Sequence, residues 1–238
     1  MKLIVNGDDL GYTRGVTEGI LEGYHRGILR STTALMNSEY INESAVLTKD
    51  CKDLGIGVHL NLTLESPLTK SQTLTDPATG EFYHGRTEVW KHDPDYTEIY
   101  NEWKAQIEKF IEVFQKMPTH LDSHHSVHDA TPEALAAAKR LSEEYHLPLR
   151  RYNHYQFVKE FFGSKEPQQL INILERYKDT DIEIMAHPAF ADLDLYRKSS
   201  LCFPRVQELA VLCSEEINNY VNTHQIELVH YHGNEEQL

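Results

Sequence analysis

The sequence is poor in features that mark several large protein classes. It has three cysteines, Cys51, Cys202 and Cys213, an odd number with no C-x-x-C pair. That excludes a disulfide framework and a cysteine-type zinc site, and a reducing cytoplasm is the expected compartment. Long apolar runs are missing. No window approaches the roughly 20 apolar residues of a membrane span. The N-terminal Leu3-Ile4-Val5 is too short for a signal peptide's apolar region of about 7–15 residues. Positive charge is also scarce: Lys and Arg total 23 against 37 Asp and Glu, a formal net charge of −14. This excess argues against nucleic acid and anionic membrane surfaces as partners. There is no internal repeat, no low-complexity tract and no H-E-x-x-H pair of the zincin type.

Histidine is what the sequence has in quantity, 14 in 238 residues. The length suits one large α/β domain, since barrels run to roughly 200–250 residues as single units. Short apolar runs alternate with amphipathic stretches. Strands are predicted at Leu3–Val5, Thr32–Met36, Ile56–Leu60, His120–Asp122, Pro148–Arg150, Ile182–Met185 and Ile226–Val229. Helices are predicted between them over 14–27, 38–50, 95–116, 131–146, 167–178 and 204–222. Apolar residues recur at three- and four-residue steps, as in Ile99, Trp103, Ile107, Phe110 and Phe114. Thr131 and Pro132 read as an N-cap and first helical position. About seven strand–helix alternations predict a parallel sheet covered by helices, in a (β/α) barrel-like fold, closed or nearly so. A doubly wound open sheet is the alternative. Residues 1–238 read as one domain with a lid-like insertion at 63–92, too polar and long for an ordinary connection. Its Asp76-Pro77-Ala78-Thr79-Gly80 is a turn signal for a small hairpin.

Five polar clusters each follow a predicted strand, and a parallel barrel gathers them at its carboxyl-terminal face. In Asn6-Gly7-Asp8-Asp9-Leu10-Gly11, adjacent carboxylates of an extended segment point to opposite sides, so one can ligate a metal while the other stays free as a base. In Gly57-Val58-His59-Leu60-Asn61-Leu62, His59 and Asn61 share a face. Thr119-His120-Leu121-Asp122-Ser123-His124-His125-Ser126-Val127-His128 is the densest cluster, with imidazoles as metal ligands and Asp122 suited to orient one. Leu149-Arg150-Arg151 and Met185-Ala186-His187-Pro188 complete the set, with His187 a candidate general acid. An Asp and two His ligands with open positions describe a catalytic rather than a structural metal site. A spare carboxylate and a spare imidazole beside it can run hydrolysis.

These motifs, with Ser31-Thr32-Thr33-Ala34-Leu35-Met36-Asn37 and His187-Pro188-Ala189-Phe190, closely resemble the YdjC-like carbohydrate deacetylases, which include the bacterial chito-oligosaccharide deacetylases. The resemblance covers nearly the whole chain. It implies a barrel-like fold and removal of an N-acetyl group from a short amino sugar such as chitobiose or its 6-phosphate. It places metal ligands at Asp9, His59 and His124, the base at Asp8 and the acid at His187. Arg150, His128 and Asn61 are expected to serve the substrate, Arg150 by holding a sugar phosphate or by orienting Asp8. Phe82, Tyr83 and Trp90 are candidates for stacking on a sugar ring. The chain departs from the family pattern at Gly7 and Leu10, where Ala and Phe are usual, and at Ser126 in a run that is often all histidine. The resemblance implies one Mg²⁺ ion, whereas two imidazoles and a carboxylate also suit Zn²⁺, Mn²⁺ or Co²⁺. Rival expectations are a metal-dependent phosphoester hydrolase, a non-haem iron oxygenase and an inactive sugar- or metal-binding protein. A homodimer is the default assembly.

Overall fold

A computed structural model describes residues 1–231. Seven parallel strands form one sheet: β1 (Lys2–Leu10), β2 (Ser31–Ala34), β3 (Gly55–Leu60), β4 (Leu121–Ser123), β5 (Gln156–Val158), β6 (Ile182–Ala186) and β7 (Glu227–Leu228). The order is β4-β3-β2-β1-β6-β5, and β7 pairs with the start of β1. β1 is buried along all but its first residue because strands flank it on both sides. The helices are α1 (Arg14–Arg26), α2 (Ile41–Leu47), α3 (Tyr96–Phe114), α4 (Pro132–Glu144), α5 (Pro167–Arg176), α6 (Leu193–Lys198), α7 (Cys202–Leu212) and α8 (Glu215–Thr223). The expected α/β fold is present as a curled parallel sheet, a half-barrel. No described helix is long and apolar enough to cross a membrane.

Two elements differ from the sequence expectation. Pro148–Arg150 is not a strand. Pro148 lacks the N–H a ladder needs, only Leu149 bridges Leu121, and Arg151 turns the chain at φ 68°. The fifth strand comes later, at Gln156, so residues 148–155 span the gap between β4 and β5. The helix expected over 204–222 is two helices. Ser214 accepts the Ile217 N–H and starts α8 afresh, a cap legible in Ser214-Glu215-Glu216.

The 63–92 segment hangs on one face of α3. Buried Glu102 accepts the N–H groups of Leu68 and Thr69 and the Thr69 hydroxyl. One turn earlier, Glu98 accepts those of Gln72 and Thr73 and the Thr73 hydroxyl. The expected hairpin is a single Thr75–Phe82 bridge closed by the Asp76–Gly80 turn.

Candidate metal centre and active site

The carboxyl ends of β1, β3, β4, β5 and β6 meet at a cavity of about 610 Å³, lined among others by Asp8, Asp9, His59, His124 and His187. The joint placement expected of the clusters is therefore present. One local expectation fails. The β1–β2 register shifts between Gly7 and Leu10, and Asp9 takes φ 75°. This bulge, in a conformation costing a non-glycine residue about 1–3 kcal/mol, turns both neighbouring carboxylates toward His59 instead of to opposite sides.

Asp9 Oδ1 lies 3.1 Å from His59 Nε2 and 2.9 Å from His124 Nδ1. The three side chains offer ligand atoms within 4.8 Å of one another. Asp122 accepts the His59 Nδ1–H at 2.6 Å and the Thr33 hydroxyl at 3.0 Å, which turns Nε2 toward Asp9 and makes it the nitrogen that would ligate an ion on giving up its proton. Burial opposes a charge on His59, but Asp122, Asp9 and Asp8 push its pKa up to about 10. A positive charge is thus favoured where the three ligand atoms meet. Two imidazole nitrogens, one carboxylate oxygen and a tautomer fixed by a second carboxylate fit a divalent ion. Asp8, His59 and Asp122 form a second such group. There, however, the Arg150 guanidinium contacts both carboxylates, so the cationic place is filled.

Asp8 accepts two N–H groups of Arg150, each at 2.8 Å, and the Asn6 amide at 2.8 Å. Burial works against its charge, yet Arg150 holds the carboxyl well below the usual carboxylate range. Arg150 also contacts Asp122 at 2.9 Å and Glu183 at 2.6 Å, and Tyr231 donates its hydroxyl to Glu183. Asp9 has a guanidinium of its own: Arg205 on α7 donates to Oδ2 at 2.5 Å. Burial opposes the Asp9 charge, and Arg205 with His124 holds it well below the usual range. His187 lines the cavity with its Nδ1 buried and 3.9 Å from Glu208. Burial, then Arg205, pushes its pKa down to about 4.

The residues expected at the substrate are placed differently. Arg150 is 3% exposed and taken up by three carboxylates, so of its two expected roles the contacts match the orientation of Asp8. Asn61 is buried and ties the 63–92 segment down through Leu64 O and the Thr63 N–H. His128 is buried against Ser123, whose Oγ lies 2.5 Å from Nδ1. None of the three lines the cavity; Thr63, Leu64, His84 and Arg86 of the long segment do. The loop aromatics also face elsewhere: Phe82 is in the core, Trp90 packs against that core, and Tyr83 stacks on His92 at 3.7 Å. Arg205, Glu208 and Glu183 were not singled out by sequence. Their signal was a charge on an apolar stripe. Arg205 and Glu208 share the buried face of α7 with Cys202, Leu209 and Leu212, and Glu183 interrupts the buried run Ile182–Ala186.

A curled parallel sheet with one Asp–His–His group at its strand ends, and a second carboxylate beside it, defines an α/β protein with a candidate mononuclear metal centre. The chain belongs to the YdjC-like family: the profile described as YdjC-like protein matches residues 2–223. Carbohydrate deacetylase 2 of Listeria innocua is 35% identical, with 98% of each chain covered. The chitooligosaccharide deacetylase of Salmonella paratyphi B is 34% identical over 90% of this chain and 92% of the relative. The crystal structure of an Enterococcus faecalis protein, proposed there to cleave cellobiose phosphate, aligns with TM-score 0.89 at 33% identity, covering 97% of both chains. A family 4 carbohydrate esterase from Streptomyces lividans aligns with TM-score 0.56 at 10% identity over 94% of this chain and 90% of its own, which shows a shared fold alone.

Proposed function

We propose that this protein hydrolyses the N-acetyl amide of a short amino sugar, chitobiose or its 6-phosphate, and releases acetate. The observation that carries the reading is the convergence of Asp9, His59 and His124 with Asp8 and His187 on one cavity. Family membership supports the hydrolase class. A divalent ion held by Asp9, His59 and His124 would polarise the amide carbonyl and acidify a water. Asp8 stays ionised because Arg150 holds it so, and its Oδ2, which accepts one Arg150 N–H where Oδ1 accepts two donors, keeps a lone pair for the water's proton. His187 is neutral above about pH 4. The proton it gives to the departing nitrogen is therefore the one that Asp8 draws from the water and passes on, so that one water supplies both the hydroxyl of the acetate group and the hydrogen of the free amine. The 6-phosphate is supported by charge: a chain of net charge −14 lines this cavity with Arg86, Arg151, Lys159 and Lys198.

Family resemblance implies Mg²⁺, whereas two imidazoles with one carboxylate suit Zn²⁺ better, because Mg²⁺ prefers oxygen ligands. Phosphoester hydrolysis is disfavoured. It would usually want a second metal, and the second acidic group here already holds the Arg150 guanidinium in the cation's place. The test is to follow free acetate after adding N,N′-diacetylchitobiose to metal-loaded protein, with a phosphate ester as control. Acetate release with no phosphate release is expected; the reverse would replace this reading by the phosphoester one.

A further inference from the structure

An amino-sugar ring needs an apolar surface as well as polar partners, because the faces of a pyranose with equatorial substituents present C–H bonds. Pockets for such ligands are largely apolar, with a few placed polar groups. Among the described residues, Tyr12 and Phe162 are the Phe, Tyr or Trp residues that line the cavity. Tyr12 is 4% exposed, whereas Phe162 is 47% exposed. The Phe162 ring stands edge-on to His187, with centroids 5.2 Å apart and planes at 82°, so its remaining surface opens beside the candidate acid.

The backbone holds this ring outward. Phe161 is fully buried in the cluster with residues of β6 and α5, and Phe162, next to it in a turn whose N–H bonds back to Lys159 O, is left outside that cluster. Gly163 then reverses the chain at φ 74°, with nothing within 4 Å of where a Cβ would sit, so the glycine is there for its dihedral and not for space. Buried Glu208 fixes the turn to the site: Oε1 accepts the Gly163 N–H and Oε2 the His187 N–H, both at 2.6 Å. One carboxylate thus sets the distance between the exposed ring and the candidate acid. Burial pushes its pKa up to about 7.

We propose that Phe162 is the ring platform of the site. The sugar ring rests on its face, and this contact favours an acetamide carried on a pyranose over one carried on an open chain. The proposal rests on the deacetylase reading above, and it assigns to Phe162 the stacking role that Phe82, Tyr83 and Trp90 cannot fill from their positions.

The experiment compares wild type, Phe162→Ala and Phe162→Trp, all metal-loaded. Acetate release is measured from N,N′-diacetylchitobiose and from N-acetylethanolamine. Sugar binding is measured separately by ligand-observed NMR with N,N′-diacetylchitobiose. Phe162→Ala should raise KM for the sugar about tenfold, the worth of one aromatic contact, with kcat within threefold and the open-chain substrate unaffected. Phe162→Trp should restore KM. Unchanged KM and binding in Phe162→Ala would overturn the proposal, as would a fall in kcat on both substrates that Trp does not rescue. If wild type releases no acetate but binds the sugar, and Phe162→Ala loses that binding, the platform stands and the deacetylase reading falls. If wild type neither binds nor cleaves the sugar, both fall.

Discussion

Asp8 and Asp9 are adjacent on one strand, share a guanidinium partner of the same kind, and belong to two different halves of the site. Asp8 faces the interior of the curled sheet. Both its oxygens are taken by Arg150, which also serves Asp122 and Glu183, so this half is a closed network of charge. Asp9 reaches the same cavity from the side of α7. Arg205 takes only its Oδ2, and Oδ1 is left to the two imidazoles. The same residue type acquires two chemistries from how many of its oxygens a cation already holds. On the proposed reading the carboxylate with one oxygen clear of its guanidinium ligates the metal, and the one that a guanidinium keeps ionised is the base.

The comparison breaks most visibly in the arginines. Arg150→Met strands three buried carboxylates and should cost about 3–5 kcal/mol of stability, the usual penalty for breaking a buried pair. Arg205→Met strands one, and added divalent metal should restore part of the loss. Urea unfolding with and without metal measures both. If Arg205→Met costs as much as Arg150→Met and metal does not help, the two halves are not distinct.

A smaller effect sharpens the boundary between them. Asp122 belongs to both halves, contacting Arg150 and orienting His59. Asp122→Asn should lower metal affinity about 10–100-fold, as loss of a ligand-orienting carboxylate does, while Asp8 remains held by Arg150. Titration with Zn²⁺ or Mg²⁺ followed by calorimetry tests this; unaltered affinity would mean that His59 keeps its tautomer without help.

The smallest expected effect is a pH dependence from the buried rim. His128 is 1% exposed, and burial pushes its pKa from the ordinary 6.5 down to about 4. An unfolded chain binds a proton there below about pH 6.5, whereas the folded chain waits until about pH 4. The neutral ring's contribution is therefore complete above pH 6.5 and is lost as pH falls through that window, by at most about 1.4 kcal/mol per pH unit. His128→Gln should flatten the fall in stability between pH 6.5 and 4.5 by about one proton's worth. An unchanged slope would mean that His128 is accessible to protons in the folded state.

Much of this architecture is legible in the sequence, and the failures have local causes. The strand–helix alternation is read from apolar runs and 3.6-residue periodicity, and the polar clusters stand where strands end. Proline at 148 removed a strand, and the Ser214 cap split a helix, both by backbone chemistry that an apolar pattern overrides on paper. The Asp8–Asp9 bulge was illegible because alternation assumes regular extended dihedrals, and Asp9 lies in the left-handed region. Arg205 and Glu208 were illegible as site residues because a charge on a helix is ordinary until the helix face is known to be buried. The family resemblance supplies what spacing alone does not, the choice between Asp8 and Asp9.

That choice is also the central claim, and paired metal analysis with turnover tests it most directly. Asp8→Asn and Asp9→Asn are each loaded with metal, dialysed and assayed for bound metal and for acetate release from N,N′-diacetylchitobiose. Asp8→Asn should keep its metal and lose about 10²–10⁴ in kcat, the usual worth of a general base. Asp9→Asn should lose metal and activity together. Metal lost from Asp8→Asn and retained by Asp9→Asn would contradict the account and exchange the two roles.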